Sequence, residues 1–255
     1  MKIMISPAKK MKIRTDSFAP EGIPAFVEDA GILLSQIRSL SLAQAAQLWK
    51  CSGSLAELNY GRFQQMDFEQ ALTPAVLAYE GLQYQHMAPE IFTKTQLSYI
   101  KEHLYILSGF YGLLRAFDGV TPYRLEMQAK LAVNGQKDLY GFWGRRIYEK
   151  LSEGGGVIVN LASKEYARCV EKYLSPQDRF LTAVFVELKD GKARQKGTAA
   201  KMARGEMVRF LAEQEAQEPE RMKEFRGLGF AYAQELSDEN TYVFTKRVDK
   251  QEMPC

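Results

Sequence analysis

The side chains best equipped for chemistry in this 255-residue chain fall into a few short segments, and most of them suit the handling of phosphate. Residues 107–127 hold Ser108, Gly109, Tyr111 and Gly112, then Arg115 with Asp118, then Tyr123 and Arg124 with Glu126. Glycines three apart let the backbone turn tightly and approach a ligand, because neither carries a Cβ. Each arginine can present a planar fork to a phosphate or a carboxylate, more selectively than a lysine would. Asp118 and Glu126 offer a competing explanation, since each can simply pair with its arginine.

Other segments add to this set. Ser6-Pro7-Ala8 leads into Lys9 and Lys10, and Pro7 holds the chain extended while denying a ladder hydrogen bond. As phosphate contacts these lysines need only be positive and reachable. Lys9 is also the one candidate catalytic residue: an amine nucleophile forming a Schiff base with an abasic sugar, which requires burial or neighbouring cations to activate it. Asn160 and Ser163 supply an amide and a hydroxyl for a base edge or a sugar, although Ser163 equally suits a helix cap. Lys201 and Arg204 lie three apart beside Gly205, which permits close approach of a backbone or a ligand. Tyr123, Tyr140 and Trp143 provide flat surfaces on which an unpaired base can stack, with core packing the expected role of Trp143.

Several chemistries are set aside. His86 and His103 are the only histidines and share no ligand spacing with the cysteines, so no zinc or iron–sulfur pattern is present. No metal site and no cofactor is expected. There is no Walker loop, no Gly-x-Gly-x-x-Gly fingerprint and no nucleophile elbow.

The elements that must position these groups are those of a mixed α/β fold. With 46% apolar and 25% charged residues, the chain has the composition of a globular protein long enough to bury a sizeable core. No linker or repeat divides it, so residues 1–255 are expected to form a single domain, a central mixed sheet flanked by helices. No membrane span is expected. Residues 1–6 read as a short buried strand rather than a signal peptide. Three widely spaced cysteines (Cys51, Cys169, Cys255) argue against a disulfide framework and for a reducing cytoplasm.

The net charge of +3 says little, but its distribution is uneven. Lys2, Lys9, Lys10, Lys12 and Arg14 face only Asp16 within residues 1–16. Lys189, Lys192, Arg194, Lys196, Lys201 and Arg204 face only Asp190 within residues 189–204. Residues 213–224 carry five glutamates. Each cluster also fits a solvated surface.

Apolar spacing predicts two helices over 22–50, with Ile32, Leu33, Ile37 and Leu40 inward and Ser41 as a cap. A third helix is expected over 54–66 with Leu55, Leu58 and Phe63 inward and Arg62 outward. Residues 75–79 read as a buried strand and 88–104 as helix. One helix is expected over 137–151, a strand over 157–161, and a helix from Ser163 to about Tyr173. A hairpin over 180–196 turns at 189–192, a helix follows over 198–215, and a hairpin over 230–247 closes the chain. Residues 100–117 admit two readings. One is a helix-hairpin-helix whose glycine turn offers N–H groups to phosphate; the other is a strand over 104–107 turning into a short helix with an anion at its N-terminus.

The same residues carry a resemblance. Ser6-Pro7-Ala8-Lys9, Ser108-Gly109 with Tyr111-Gly112, and Pro122-Tyr123-Arg124-Leu125-Glu126-Met127 resemble elements of the YaaA (UPF0246) family of bacterial peroxide-stress proteins. So do Leu139-Tyr140 with Phe142-Trp143, Asn160-Leu161-Ala162-Ser163 with Glu165-Tyr166, and Ala203-Arg204-Gly205, all in the family's order along nearly the full chain. Ala116 stands where the family usually has proline, which loosens the backbone but removes no chemical group. The resemblance implies binding of double-stranded DNA in a positively charged cleft, and a role in limiting oxidative DNA damage, partly by keeping intracellular iron low.

The expected function is accordingly a cytoplasmic DNA-binding protein of the peroxide response. Lys9, Lys10, Arg115, Arg124, Lys201 and Arg204 would line one basic cleft and read backbone and shape rather than sequence. Ser108, Gly109, Tyr111, Gly112, Tyr123, Asn160 and Ser163 are the further candidate contacts, and distorted or damaged DNA would be preferred if a tyrosine stacks. The alternative is an enzyme acting on a nucleobase or on damaged DNA, glycosylase- or lyase-like, in the same cleft. A third reading is a small-molecule or partner-binding regulator whose basic clusters are ordinary surface.

Overall fold

The computed structural model describes residues 1–14, 18–70, 72–189 and 192–248. In chain order, β1 (Lys2–Ile5) and β2 (Lys10–Met11) precede three helices, α1 (Val27–Arg38), α2 (Leu42–Trp49) and α3 (Ser54–Gln65). β3 (Thr73–Pro74), the single turn α4 (Ala75–Ala78) and β4 (Tyr79–Glu80) lead into α5 (Leu82–Met87) and α6 (Lys94–His103). β5 (Leu104–Ser108), β6 (Gly112–Arg115) and β7 (Gly119–Val120) come next, then α7 (Leu139–Trp143), α8 (Arg146–Ser152), β8 (Ile158–Leu161) and α9 (Lys164–Glu171). β9 (Phe180–Lys189), β10 (Lys192–Arg194), α10 (Gly197–Glu213), β11 (Ala231–Tyr232) and β12 (Thr241–Arg247) complete the fold.

One mixed sheet organises the molecule, in the order β11-β12-β9-β8-β1-β5-β6, with β10 also on β9. β12, β9, β8, β1 and β5 run parallel; β11, β6 and β10 pair antiparallel. Ile3, Met4 and Ile5 are fully buried because β1 sits between β5 and β8 with helices over both faces, which is why its sequence is apolar without alternation. From β1 the chain crosses to β5 on one side and later places β8 on the other. The loops leaving the carboxyl ends of β1 and β8 therefore diverge, and in open sheets such a switch point is where a crevice forms.

Local chemistry sets the helix starts. Ser41 and Thr93 each form a reciprocal capping box with the glutamine three residues on, Gln44 and Gln96. Asp138 accepts the Gly141 N–H at 2.9 Å and starts α7. α10 packs against α5 at Gly205, where a Cβ would stand 2.0 Å from the Gln83 carbonyl oxygen. The backbone approach anticipated at this glycine is thus made by a neighbouring helix.

The mixed sheet and flanking helices agree with the sequence reading, but several elements differ. Residues 104–115 are a β-hairpin, Ser108 pairing with Gly112, and not a helix-hairpin-helix; only the strand of the second reading survives. The run Leu104–Ser108 is buried on both faces between β1 and β6, and periodicity alone does not separate such a strand from a buried helix. Residues 75–78 form a helical turn instead of a strand. In α3 the inward stripe is Ala56, Asn59 and Phe63, while Leu55 and Leu58 are exposed; in α1, Ile32 points outward and Ala30, Leu33, Leu34 and Ile37 inward. The helix expected over 137–151 breaks at Gly144, whose φ of 51° lies in the left-handed region, giving α7 and α8. The hairpin over 180–196 is present, but the centre of its turn, Asp190 and Gly191, lies outside the described residues, as do Asp16 and Cys255. In the closing hairpin only Ala231 and Tyr232 pair with β12; Gln234–Leu236 is a 3-10 turn.

Candidate functional site

Beyond the carboxyl ends of β1 and β8 lies a cleft of about 440 Å³. Its walls come from Ser6 to Lys10 after β1, Glu80 to Tyr84 around the start of α5, Tyr123 to Glu126, Ser163 to Tyr166 at the start of α9, and Lys201 and Arg204 on α10. Three hydrogen bonds hold the wall loops together. Ser6 Oγ donates to Ser163 Oγ at 3.2 Å and accepts the Ser163 N–H at 2.8 Å, and the Tyr84 hydroxyl donates to the Ser6 carbonyl at 3.0 Å. The Ser163 hydroxyl does not cap α9, contrary to the simpler expectation for it.

Five cations face three carboxylates in this cleft: Lys9, Lys10, Arg124, Lys201 and Arg204 against Glu80, Glu126 and Glu165. Glu126 bridges Lys9 (3.0 Å) and Arg124 (3.2 Å), so the arginine and the acid two residues on do pair. Glu80 holds Lys10 at 2.9 Å and Lys12 at 3.5 Å; Glu90 holds Arg14 at 3.0 Å. The basic cluster near the N-terminus is therefore largely matched by acids far away in the sequence, Glu80, Glu90 and Glu126. Burial pushes the Glu165 carboxyl above the usual carboxylate range, opposed by the Gln128 N–H that it accepts.

Arg204 stands apart from these pairs. Among the described residues no carboxylate lies within 4.0 Å of it, and burial pushes its guanidinium down to about 10. Its Nε is enclosed and has no hydrogen-bond partner among the described residues; the same holds for Arg124 Nε and Gln83 Nε2. Of the four enclosed side-chain donors without a partner among the described residues, these three all belong to residues lining this one cleft. Buried polar groups are normally satisfied, because an unmade bond costs about 1–3 kcal/mol, so such a concentration calls for an explanation.

The structure brings together Lys9, Lys10, Tyr123, Arg124, Ser163, Lys201 and Arg204, and separates the other candidates from them. Arg115 is at the opposite edge of the sheet, because β6 runs antiparallel from Gly112 beside Ser108 to Arg115 beside Tyr105. There it lines a second hollow with Lys150, Glu153 and Asp118. Asp118 accepts the Arg115 N–H at 2.8 Å instead of pairing with its guanidinium, and burial raises its carboxyl to about 6.

Ser108 is fully buried: its Oγ accepts the N–H groups of Phe110 and Tyr111 and meets the Tyr123 hydroxyl at 2.6 Å. The turn's donors are thus consumed internally and do not point at an anion. Gly109 and Gly112 serve packing, since added Cβ atoms would meet the Leu125 carbonyl oxygen at 2.5 Å and the Trp143 ring at 2.8 Å. Tyr111 is buried with its hydroxyl 3.1 Å from Thr121. Asn160 is buried, its amide donating to Thr182 Oγ1 and accepting the Ala162 N–H. Trp143 is fully buried and donates to the Gly109 carbonyl at 3.0 Å, while Tyr140 carries Arg168 over its ring and donates to the Glu165 carbonyl. Neither presents a free face to the cleft.

Sequence reasoning missed Glu80 at the end of β4 and Gln83 and Tyr84 in the short α5, where no local pattern marks them as site residues. Glu165 and Tyr166 were visible beside Ser163 but carried no assigned role.

Fold and cleft together define a mixed α/β protein with a charged crevice at the carboxyl ends of its central parallel strands. Residues 1–236 match the family model described as peroxide stress protein YaaA. Among similar proteins are UPF0246 proteins of Lachnoclostridium phytofermentans, 50% identical over 96% of each chain, and of Agathobacter rectalis, 46% identical over 97% of this chain and all of its own. That of Pediococcus pentosaceus is 48% identical over 96% of this chain and 98% of its own. The chain belongs to the YaaA peroxide-stress family.

Proposed function

We propose that this member of the peroxide-stress family binds DNA at the β1–β8 cleft, taking one nucleotide unit of a distorted or damaged strand between α5, α9 and α10. The observation carrying this reading is the group of partnerless donors on Arg124, Arg204 and Gln83 within a cleft that holds more cations than carboxylates. Phosphate oxygens are the acceptors best matched to arginine forks. A cleft of about 440 Å³ accommodates a single nucleotide and not a length of duplex. Lys9 and Lys10 at its mouth are already matched by Glu126 and Glu80, which disfavours a flat electrostatic footprint on regular duplex. Binding of this kind would limit oxidative DNA damage by covering lesions. Among the described residues no group of three His, Cys, Asp or Glu side chains is arranged around a common point.

The test is fluorescence anisotropy with regular duplex, bulged duplex and abasic-site DNA across a salt series. Bulged or abasic DNA should bind more tightly than duplex. Arg124→Ala should weaken binding about tenfold or more, the value of one charge-assisted contact, while Arg115→Ala at the far edge should leave it unchanged. No binding at low salt, or equal loss in both variants, would refute the reading.

One observation favours catalysis in the same cleft. Glu126 is held by two cations while the neighbouring Glu165 is desolvated, and carboxylates in such contrasting settings can divide acid and base roles. Product analysis on the same abasic and base-damaged substrates decides this; an unchanged substrate after prolonged incubation rules it out. Lys9 is a poor nucleophile here, because it is exposed and ion-paired with Glu126 where activation requires a desolvated amine.

A further inference from the structure

We infer that the cleft contains a dedicated subsite for a phosphate monoester, formed by Arg124, Arg204 and Gln83, with Lys201 at its entrance. The inference rests on the reading of this cleft as the ligand site and names the chemical group it selects.

Three observations carry it. First, Gln83 is more than nine-tenths buried, and its amide nitrogen has no acceptor among the described residues although the residue lines a cleft. The Arg124 side chain is only 11% exposed, and among the described residues its Nε is likewise without an acceptor. Secondly, Arg204 is a desolvated cation with no carboxylate within reach among the described residues, an arrangement that costs stability until an anion arrives. Glu126 satisfies part of Arg124 but nothing comparable serves Arg204. Thirdly, five cations against three carboxylates leave an excess of two positive charges. A phosphate monoester carries about −1.5 to −2 at neutral pH and matches that excess in full, whereas an internal diester, with its single charge, matches half of it.

Positioning agrees with this assignment. Gln83 and Arg204 sit on α5 and α10, which Gly205 locks together at backbone contact, so amide and guanidinium are held by two helices in mutual register. Arg124 lies across from them after Tyr123, whose hydroxyl is fixed by Ser108 and Tyr79. Rigid placement of planar donors selects a tetrahedral oxoanion over a diffuse counterion. Two sources can deliver a phosphate monoester: a free nucleotide, or the phosphorylated end of a broken strand.

The experiment compares inorganic phosphate, a deoxynucleoside monophosphate, the unphosphorylated nucleoside and chloride at matched ionic strength, read by calorimetric titration and by the rise in Tm of the unmodified protein. Nicked duplexes with and without a 5′-phosphate, and intact bulged duplex, form the second arm. Phosphate and the monophosphate should bind and raise Tm while nucleoside and chloride do not. Gln83→Leu and Arg124→Lys should each weaken monophosphate binding about tenfold, whereas Arg179→Ala, an exposed cation paired with Glu220, should not change it.

Absence of any Tm rise or heat with phosphate and monophosphate, in protein that still binds bulged DNA, would overturn the subsite and leave the DNA reading standing. Monophosphate binding without DNA binding would do the reverse and assign the free nucleotide as ligand. Preference for the 5′-phosphorylated nick over the unphosphorylated one would assign the strand end. Equal loss in Arg179→Ala would show a nonspecific charge effect and overturn the subsite.

Discussion

Gly205→Ala is the sharpest perturbation of this structure, because two opposing effects act at one methyl group. Gly205 lies inside the long helix α10, where alanine is favoured over glycine by about 0.8–1 kcal/mol. The new Cβ, however, would stand 2.0 Å from the Gln83 carbonyl oxygen, 2.9 Å from its carbon and 3.0 Å from the Met87 nitrogen, all backbone atoms. Ordinary contact begins near 3.4 Å, so α5 and α10 must part by roughly 1.4 Å. Overpacking of this kind costs about 1–3 kcal/mol and sometimes more, and backbone atoms yield less readily than side-chain ends. The clash should win by about 2 kcal/mol, which lowers Tm by about 4–8 °C in a chain of this size. The same separation moves Gln83 away from Arg204, so affinity for the cleft ligand should fall with stability. Thermal unfolding by circular dichroism, paired with titration of the monophosphate, measures both. A Tm at or above that of the parent would mean that helix propensity prevails and that the two helices are not in backbone contact.

Other perturbations separate further parts of the argument. Gly112→Ala places a Cβ at φ 71° and 2.8 Å from the Trp143 ring, and should cost about 3 kcal/mol, seen as a lower Tm with a shift in tryptophan emission. Asp118 has its carboxyl raised to about 6 by burial, against about 3.9 in the unfolded chain. The folded state then binds the extra proton, so its contribution to stability is complete below about pH 4 and disappears as pH rises through about 6. Asp118→Asn, which keeps an acceptor for the Arg115 N–H, should flatten the Tm profile between those values and be the more stable form above pH 7. Cys169 is buried and its thiol is pushed up to about 12 by burial, whereas Cys51 is partly exposed. Maleimide labelling followed by peptide mapping should therefore modify Cys51 well before Cys169, and fast labelling of Cys169 would contradict its burial.

How far the sequence discloses this molecule depends on the range over which each feature is set. β1 and β8 are legible because short apolar runs ended by polar or proline-containing turns are local signals. The hairpin at 104–115 was ambiguous because its strands are buried on both faces, which erases the alternation that would mark them. In α3, Leu55 with Leu58 and Ala56 with Asn59 offer equally regular stripes, and only packing around Phe63 chooses between them. The site shows the same division. Lys9, Arg124, Lys201 and Arg204 stand out by charge. Arg115 does too, yet strand direction carries it to the other edge of the sheet. The pairing of Lys10 with Glu80 and of Arg14 with Glu90 joins residues that no local pattern connects. Gln83 acquires its role solely from having no partner, which is a property of the folded surroundings.

The cleft draws its five wall segments from residues 6–10, 80–84, 123–126, 163–166 and 201–204, spread over almost the whole chain. Each segment alone is an ordinary loop or helix start. During synthesis from the N-terminus, the β1–β5 and β1–β8 pairings can form before α10 exists, but Lys201 and Arg204 arrive only when some four-fifths of the chain has been made. Until then Gln83 faces an open side, and an incomplete chain holds lysines already neutralised by Glu80 and Glu126 but no desolvated arginine pair. On the reading proposed above, anion capture would therefore require the chain through α10, because a product ending before Gly197 lacks both Lys201 and Arg204.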